Sequence, residues 1–364
     1  MYRHSPLAVL ILTLFAVVQS SGVVRGQDEL ANSSAPGSFG AGSKPTPVGG
    51  GATSAASKLP SLGSNAEAHA VNEAGTVVVG HSFDRAGLLY AVRWTRQNGV
   101  WVIGTLPYPG SAVATGIDNM GNVVGYGATP PRRPILWPVT GGYTLLGCNS
   151  DVAEARAISA NGQVVVGQAA GRAIEWRTPQ LCTEDLPPLE AGGSAYAHAV
   201  NGDGSITGGH AAFFSQTTGM PVRWIGLPGG RQIQQLDTRP GTVRGANADG
   251  DLAGYVTIPC GLAEGCPRAV IWYATGDSLD LGAFGGEKSW IRDINAAGEV
   301  AGVITSGTNS TALFWSPSIG RLQLLPGNKS GVANGLSDSR PDGTRLVVGM
   351  ESGKNATVWV VRTP

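Results

Sequence analysis

Seven residues that share one position of a repeated segment are the strongest candidates for chemistry in this sequence. Each stands three residues before the Asn, Asp or Ser of a recurring turn, such as the one in "DINAAGEVAG". They are His69, Thr115, Arg156, His198, Arg244, Arg292 and Asn334. Arginine forms paired hydrogen bonds with anionic groups, while Tyr196 and Trp290, two residues earlier on the same strand face, offer rings for stacking. We therefore predict a basic, partly aromatic site that binds an anionic or carbohydrate ligand.

Two other interpretations of this register stay open. Glu67 and Glu154 occupy the Tyr196 position in their own repeats, so these glutamates would neutralise the arginines in a purely structural cell-surface protein. Converging carboxylates would instead suit an enzyme that acts on glycans. Because the sequence has no nucleophile elbow, phosphate-binding glycine loop or histidine cluster with metal spacing, we expect a non-catalytic binding or scaffold module with no catalytic residue and no cofactor.

The sequence alone does not predict a metal site. His69 and His198 share one register in the first and fourth repeats, but an ion between them would need rings about 4 Å apart and a further ligand. The stretch "NADGD", Asn247 to Asp251, resembles part of a calcium loop and lacks the distal bidentate glutamate. We therefore expect neither histidine nor this loop to hold an ion.

The turn that sets this register belongs to a segment found seven times. Its glycines lie 41 to 48 residues apart, at Gly75, Gly121, Gly162, Gly204, Gly250, Gly298 and Gly343. The Asn, Asp or Ser side chain bonds its own backbone there, and glycine supplies the positive φ. A short apolar strand ending in tryptophan follows each turn, and we predict core positions for Trp94, Trp137, Trp176, Trp224, Trp272, Trp315 and Trp359.

Each repeat is predicted to hold four strands. In the first repeat they lie near Glu67–Asn72, Thr76–Ser82, Leu89–Thr95 and Val100–Thr105. Four strands in about 44 residues match a propeller blade, so we predict an all-β, seven-bladed β-propeller over residues 59–364. A β-solenoid is the alternative. The segment Lys58–Gly63 resembles the exits from fourth strands elsewhere, and we expect the N-terminal segment to complete the last blade.

The repeats resemble the extracellular HAF-repeat family, which is named for a His-Ala-Phe strand motif leading into a tryptophan. The best match runs from Arg268 to Trp315, one family period plus the next Trp strand. No repeat carries the His-Ala-Phe motif itself; Tyr90 and Arg172, for example, stand where the histidine would be. The resemblance implies an exported, mostly bacterial, propeller-like protein and carries no established activity.

The first 58 residues are predicted to lie outside the propeller. Residues 1–26 combine a basic start, an apolar run from Leu7 to Val18 and small polar residues, which is the layout of a secretory signal peptide. Residues 27–58 are rich in Gly, Ser, Ala and Pro, as in a flexible linker. We expect a secreted, extracellular or periplasmic protein with no membrane span once the signal peptide is removed.

Net charge and cysteine content limit the classes of partner and of cellular compartment that we expect. With 25 basic and 25 acidic residues the net charge is zero, so we expect no nucleic-acid partner and a monomer that takes a glycan or protein ligand. Four cysteines suit an oxidising compartment. Cys260 and Cys266 flank one loop and are predicted to pair, which leaves Cys148 and Cys182 to each other.

Overall fold

The computed structural model is a seven-bladed β-propeller. It describes residues 52–147, 152–178, 183–214, 216, 218–227, 229–261, 264–324 and 329–363. In this part of the chain, 28 strands form seven four-stranded antiparallel sheets, the blades, which confirms the predicted fold class. The predicted signal peptide, residues 1–26, and most of the predicted linker lie outside the described residues.

In blades 1 to 6 the strands follow chain order from the central channel outwards. Blade 1 contains β2 (Ala66–Val71), β3 (Val77–Phe83), β4 (Leu89–Gln97) and β5 (Val100–Thr105), close to the four predicted strands. Blade 2 contains β6 (Ala112–Ile117), β7 (Val123–Gly127), β8 (Pro134–Trp137) and β9 (Thr144–Leu145). Blade 3 contains β10 (Ala153–Ile158), β11 (Val164–Ala169), β12 (Arg172–Arg177) and β13 (Thr183–Asp185).

The remaining blades repeat this order. Blade 4 contains β14 (Ala195–Val200), β15 (Ile206–Ala211), β16 (Met220–Ile225) and β17 (Gln232–Gln235). Blade 5 contains β18 (Gly241–Ala246), β19 (Leu252–Ile258), β20 (Cys266–Trp272) and β21 (Ser278–Gly282). Blade 6 contains β22 (Lys288–Ile294), β23 (Val300–Ser306), β24 (Asn309–Ser316) and β25 (Gly320–Gln323). Blade 7 contains β26 (Gly331–Leu336), β27 (Thr344–Glu351) and β28 (Asn355–Arg362).

An N-terminal strand completes blade 7. It is β1 (Thr53–Lys58), which pairs antiparallel with β28 and brings the two ends of the described chain into one sheet. The predicted linker, residues 27–58, therefore overlaps the propeller by one strand. Composition gave no sign of this because β1 is mostly exposed and is held through backbone pairing, which small polar residues permit as well as apolar ones.

The repeated tryptophans are buried, with side chains no more than 4% exposed at all seven positions. Three of them also bond the segment that enters their blade: Trp94 Nε1 donates to Pro60 O over 2.7 Å, Trp137 Nε1 to Pro107 O over 2.8 Å and Trp224 Nε1 to Pro187 O over 2.7 Å. The predicted core role is confirmed, and in blades 1, 2 and 4 these bonds also fix the blade against the chain segment that enters it.

The recurring turn has the predicted chemistry. In blade 1, Asn72 Oδ1 accepts hydrogen bonds from the backbone N–H groups of Thr76 (2.9 Å) and Val77 (3.0 Å), and Gly75 has a φ of 64°. In blade 5, Asn247 Oδ1 accepts in the same way from the Asp251 N–H over 2.9 Å. In "NADGD", the side chains of Asn247 and Asp251 are thus engaged in turn formation.

One of the two predicted disulfides is observed. Cys260 and Cys266 are bonded and close the loop between β19 and β20. Cys148 and Cys182 lie outside the described residues. Across the described ranges, no helix is both long and apolar enough to cross a membrane.

Candidate binding site in the central channel

Each of the seven predicted register residues is the extra residue of a β-bulge in the innermost strand of its blade. In blade 1, for example, the register between β2 and β3 shifts between Ala68 and Ala70, leaving His69 unpaired in the ladder. The same shift occurs in every other blade. A bulge bends its strand and re-aims the extra residue, and all seven side chains line one channel. We call them the bulge ring.

The bulge imposes a glycine on the second strand. A Cβ built on Gly80 would lie 2.0 Å from the carbonyl oxygen of Glu67, and one on Gly167 would lie 1.9 Å from that of Glu154. The equivalent glycines of the other blades show the same conflict at 1.9 to 2.0 Å. Since a real Cβ cannot approach a carbonyl this closely, the glycine after each apolar second-strand run is a requirement of the bulge ring.

Two adjoining cavities share the bulge ring. One, of about 190 Å³, extends towards the recurring turns. The other, of about 260 Å³, adds Glu67 and Tyr126 and lies towards the start of the innermost strands. We call them the turn-side cavity and the entry-side cavity. The seven predicted register residues therefore share one site in the central channel.

Arg156 is the one ring arginine with a carboxylate partner among the described residues. Its guanidinium pairs with Glu154, which also accepts hydrogen bonds from Arg132 and from Gln168 Nε2 (2.9 Å). The Arg156 guanidinium lies 5.7 Å from the centre of the Tyr126 ring. Glu154 is thus fully committed to its partners, as the structural interpretation of the glutamates predicts for this blade.

Arg244 and Arg292 lack such compensation. Neither has a carboxylate within 4.0 Å in the described ranges, and Arg244 instead bonds the phenol of Tyr255. Burial, followed by the positive charges of Arg292 and Arg156, lowers the pKa of Arg244. Because arginine begins from a very high pKa, it stays charged. The channel therefore holds a local excess of positive charge on the side of blades 5 and 6.

Blade 1 contributes a different group of side chains. His69 Nε2 lies 3.7 Å from Glu67 Oε2, and the His69 and His81 rings meet edge to face at 5.0 Å. Burial and the charge of His69 lower the pKa of His81 to about 4. For Glu67, burial raises the pKa, but the bonds and charge of His69 and the amide of Asn334 outweigh it and lower the pKa to about 2. Near neutral pH, Glu67 is ionised and His81 is neutral.

Blade 4 has a histidine pair at the equivalent positions. His198 Nε2 and His210 Nδ1 are 3.2 Å apart, and His210 Nδ1 is also 3.1 Å from Thr242 Oγ1. Burial and the nearby Arg244 charge lower the pKa of His210 to about 4, and they lower that of His198 well below its usual value. Both imidazoles are therefore neutral near pH 7, and His69 and His198 belong to separate networks.

The predicted aromatic residues have other partners. Tyr196 stacks on His210 with ring centres 4.9 Å apart, and Trp290 meets Tyr255 edge to face at 6.5 Å. Neither is among the residues that line the two cavities, where Tyr126 supplies the aromatic surface. The aromatic part of the predicted site thus comes from the second strand of blade 2.

The turn-side cavity adds three acidic residues to the bulge ring. Glu73 and Asp338 line it, and so does Asp293, whose carboxylate accepts hydrogen bonds from the N–H groups of Leu336 (2.8 Å) and Ile294 (2.9 Å). Burial raises the pKa of Asp293 to about 7 against the opposing effect of these two bonds. These acids repel anions from the turn side of the channel, whereas the uncompensated arginines attract them. The entry side is therefore the favoured place for an anion.

A second ring of residues, on the second strands, was not predicted from the sequence. These follow the required glycine on the second strands and include His81, Tyr126, His210 and Tyr255. Each lies directly opposite the innermost-strand residue two before the bulge, as His81 does with Glu67. The signal that could have found them is the polar or aromatic residue after the glycine in "VVVGHS", "VVGYG", "ITGGHA" and "LAGYV".

The sequence matches no protein-family model and no curated protein. Among solved structures, the β-propeller domain of the Trilobed protease from Pyrococcus furiosus is similar, with a TM-score of 0.53 and 9% identity over 81% of this chain and 95% of that one. The tricorn protease matches with a TM-score of 0.51 and 12% identity, over 85% of this chain and 36% of that one. A prolyl endopeptidase matches with a TM-score of 0.51 and 11% identity, over 83% and 50% of the two chains. At such identities the similarity shows the fold alone.

Proposed function

We propose that this protein is an exported, non-catalytic propeller that binds an anionic group of a small molecule or glycan in its entry-side cavity. One observation carries the proposal. Arg244 and Arg292 share that cavity with Arg156, and only Arg156 has a carboxylate partner within the described ranges. Leaving guanidinium groups close together without counter-charges raises the energy of the folded protein, and an anion would remove that cost.

The chemistry of the cavity favours oxyanions. A guanidinium offers two parallel N–H donors to a carboxylate, sulfate or phosphate, and Tyr126 gives an adjacent aromatic face for a sugar ring or an apolar substituent. A cavity of about 260 Å³ has room for one compact group and not for a folded partner. We therefore propose a sugar acid, or a sulfated or phosphorylated small molecule, as the ligand class.

The proposed location rests on separate grounds. The Cys260–Cys266 disulfide favours an oxidising compartment, and the resemblance to the HAF-repeat family implies export. The scaffold alternative requires the cavity to bind no ligand, so the same binding experiment decides between the two interpretations.

Calorimetric titration of the whole chain tests the proposal. Inorganic sulfate, inorganic phosphate, glucuronate and uncharged glucose serve as probes, at low and at moderate salt. We expect at least one anion to bind and glucose not to bind. The variant Arg244→Gln/Arg292→Gln keeps polar side chains of similar reach but loses both charges, and should weaken binding by at least tenfold, since hydrogen bonds to charged groups contribute about 1.5 to 3 kcal/mol each.

Arg93→Gln is the matched control because Arg93 is exposed on β4, away from both cavities. It loses the same kind of charge and should leave anion affinity unchanged. The proposal fails if none of the three anions binds the parent protein. It also fails if Arg93→Gln weakens binding as much as the double substitution does, because the effect would then come from overall charge.

A further inference from the structure

Blade 1 presents three metal-binding side chains that the arginines of the channel do not engage. Glu67, His69 and His81 each offer one ligand atom, and these atoms all lie within 4.8 Å of one another. Bonds from zinc to imidazole nitrogen or carboxylate oxygen are about 2.0 to 2.2 Å long, so the ligand atoms of a tetrahedral site lie about 3.5 Å apart. We infer that these residues form a binding site for a divalent first-row transition ion such as Zn²⁺.

The backbone brings the three residues together. Glu67 and His69 are two residues apart on β2, and the bulge at His69 turns its side chain into the channel. His81 lies on β3 directly opposite Glu67. The site therefore sits on the paired first and second strands of blade 1, which hold ligands more firmly than loops do.

His69 and Glu67 each make a hydrogen bond of the kind that holds metal ligands in position. His69 Nδ1 lies 3.0 Å from the carbonyl oxygen of Ala114, which can only accept, so Nδ1 carries a proton and Nε2, on the Glu67 side, is the nitrogen available to an ion. Glu67 Oε1 accepts a hydrogen bond from Asn334 Nδ2 over 2.9 Å. Backbone carbonyls and amides in these positions orient metal ligands and fix the tautomer of histidines.

His81 supplies an independent observation. Its Nδ1 is buried and has no hydrogen-bond partner within the described ranges, while its ring is held between those of His69 and Phe83, with centres 5.0 and 5.8 Å away. A buried polar atom without a partner costs about 1 to 3 kcal/mol. An ion bound at His81 Nδ1 would offset that cost.

The ligand set selects the class of ion. Two imidazoles and one carboxylate suit Zn²⁺ and neighbouring late transition ions, whereas Ca²⁺ and Mg²⁺ require mainly oxygen ligands. Three protein ligands leave a coordination position open, and Glu67 and His69 line the same cavity as Arg244 and Arg292. The ion and the arginines would therefore act on one anionic ligand, although the metal site itself does not depend on the anion proposal.

Zn²⁺ and Co²⁺ are the probes that test this inference. The tag-free whole chain is stripped with a chelator, and each ion is titrated in anion-poor buffer, with calorimetry for Zn²⁺ and visible d–d absorption for Co²⁺. We expect one ion per chain and a Co²⁺ spectrum typical of nitrogen and oxygen ligands. His81→Ala and Glu67→Gln should each weaken binding by at least about tenfold.

Blade 4 offers the matched control. His210 occupies the position of His81, but Tyr196 stands where Glu67 would be, so His210→Ala should bind both ions as the parent does. The inference is overturned if the parent binds neither ion. It is equally overturned if both blade 1 variants, shown by circular dichroism to be folded, bind as tightly as His210→Ala. Failure of anion binding with metal binding intact would refute the proposed function and leave this site standing.

Discussion

Replacing Gly254 with alanine tests the argument that the bulge ring dictates the second-strand glycines. The added Cβ would lie 2.0 Å from the carbonyl oxygen of Thr242 and 3.0 Å from Val243 Cα. The closest ordinary carbon-to-oxygen contacts are about 3.3 Å, so β18 and β19 must separate by more than about 1 Å. Both obstacles are backbone atoms, which cannot move aside by changing rotamer.

We expect a large loss of stability. Overpacking typically costs about 1 to 3 kcal/mol, and a clash between paired backbones belongs at or above the upper end of that range. The propeller has about 300 residues, and an unfolding entropy of about 2.1 cal/mol/K per residue means that 1 kcal/mol lowers its melting temperature by about 1.5 °C. Gly254→Ala should therefore melt at least about 4 °C below the parent. Displacement of the neighbouring bulge residue, Arg244, should also weaken anion binding.

Scanning calorimetry at a fixed heating rate measures the effect. Gly104→Ala is the control, because Gly104 lies on β5 with no atom within 4 Å of an added Cβ and does not need a positive φ. It should melt at or slightly above the parent temperature, since alanine loses less conformational entropy than glycine on folding. If Gly254→Ala melts together with Gly104→Ala, the steric account of the bulge ring is wrong.

Three further predictions concern the charge and covalent structure of the propeller. The pKa of Asp293 is about 7 in the folded protein against 3.8 when unfolded, so its contribution to the free energy of unfolding falls as the pH rises from about 4 to 7. Asp293→Asn should remove this pH dependence, as measured by urea unfolding. The change across that window should be at most about 4 kcal/mol, and smaller where water in the channel hydrates the carboxylate. The guanidinium of Arg231 bonds Glu175 over 2.9 Å with both side chains buried, so Arg231→Met should lose about 3 to 5 kcal/mol in urea unfolding and Arg231→Met/Glu175→Leu should recover part of it. Replacing both Cys260 and Cys266 with serine opens a short loop. Because this disulfide encloses few residues, the free energy of unfolding in urea should fall by no more than about 2 kcal/mol.

Local chemistry made the blades predictable from the sequence. In blades 1 to 6 the Asn, Asp or Ser of the turn accepts a hydrogen bond from its own backbone within five residues, as Asn72 does from Val77; in the longer turn of blade 7, Ser337 accepts one from Leu346. The Trp strands are apolar because they are buried between blades. Both features depend on neighbours along the chain and recur seven times, so the period, the four strands of each repeat and the closed ring follow from spacing alone. The register of seven candidate residues follows as well, because it is counted from the same turn.

Closure of the ring was predictable, but the position of the closing strand was not. The exit segment that begins at Lys58 resembles those of other blades, whereas β1 just before it has no apolar pattern. An outer strand at the edge of a sheet needs only backbone pairing, in this case with β28. Composition cannot distinguish such a strand from a linker.

The sequence by itself determined the seven bulge-ring residues, and only the tertiary structure decided which of them are neutralised and which aromatic side chain joins them. Arg156 pairs with Glu154, two residues away in the chain. Whether Arg244 and Arg292 meet a carboxylate depends instead on every blade that faces them across the channel. The meeting of Glu67, His69 and His81 likewise depends on strand register, because β3 must pair with β2 across a bulge. Turn and strand preferences act over a few residues, but charge balance and ligand geometry depend on distances across the ring, and these exist only once the propeller has closed.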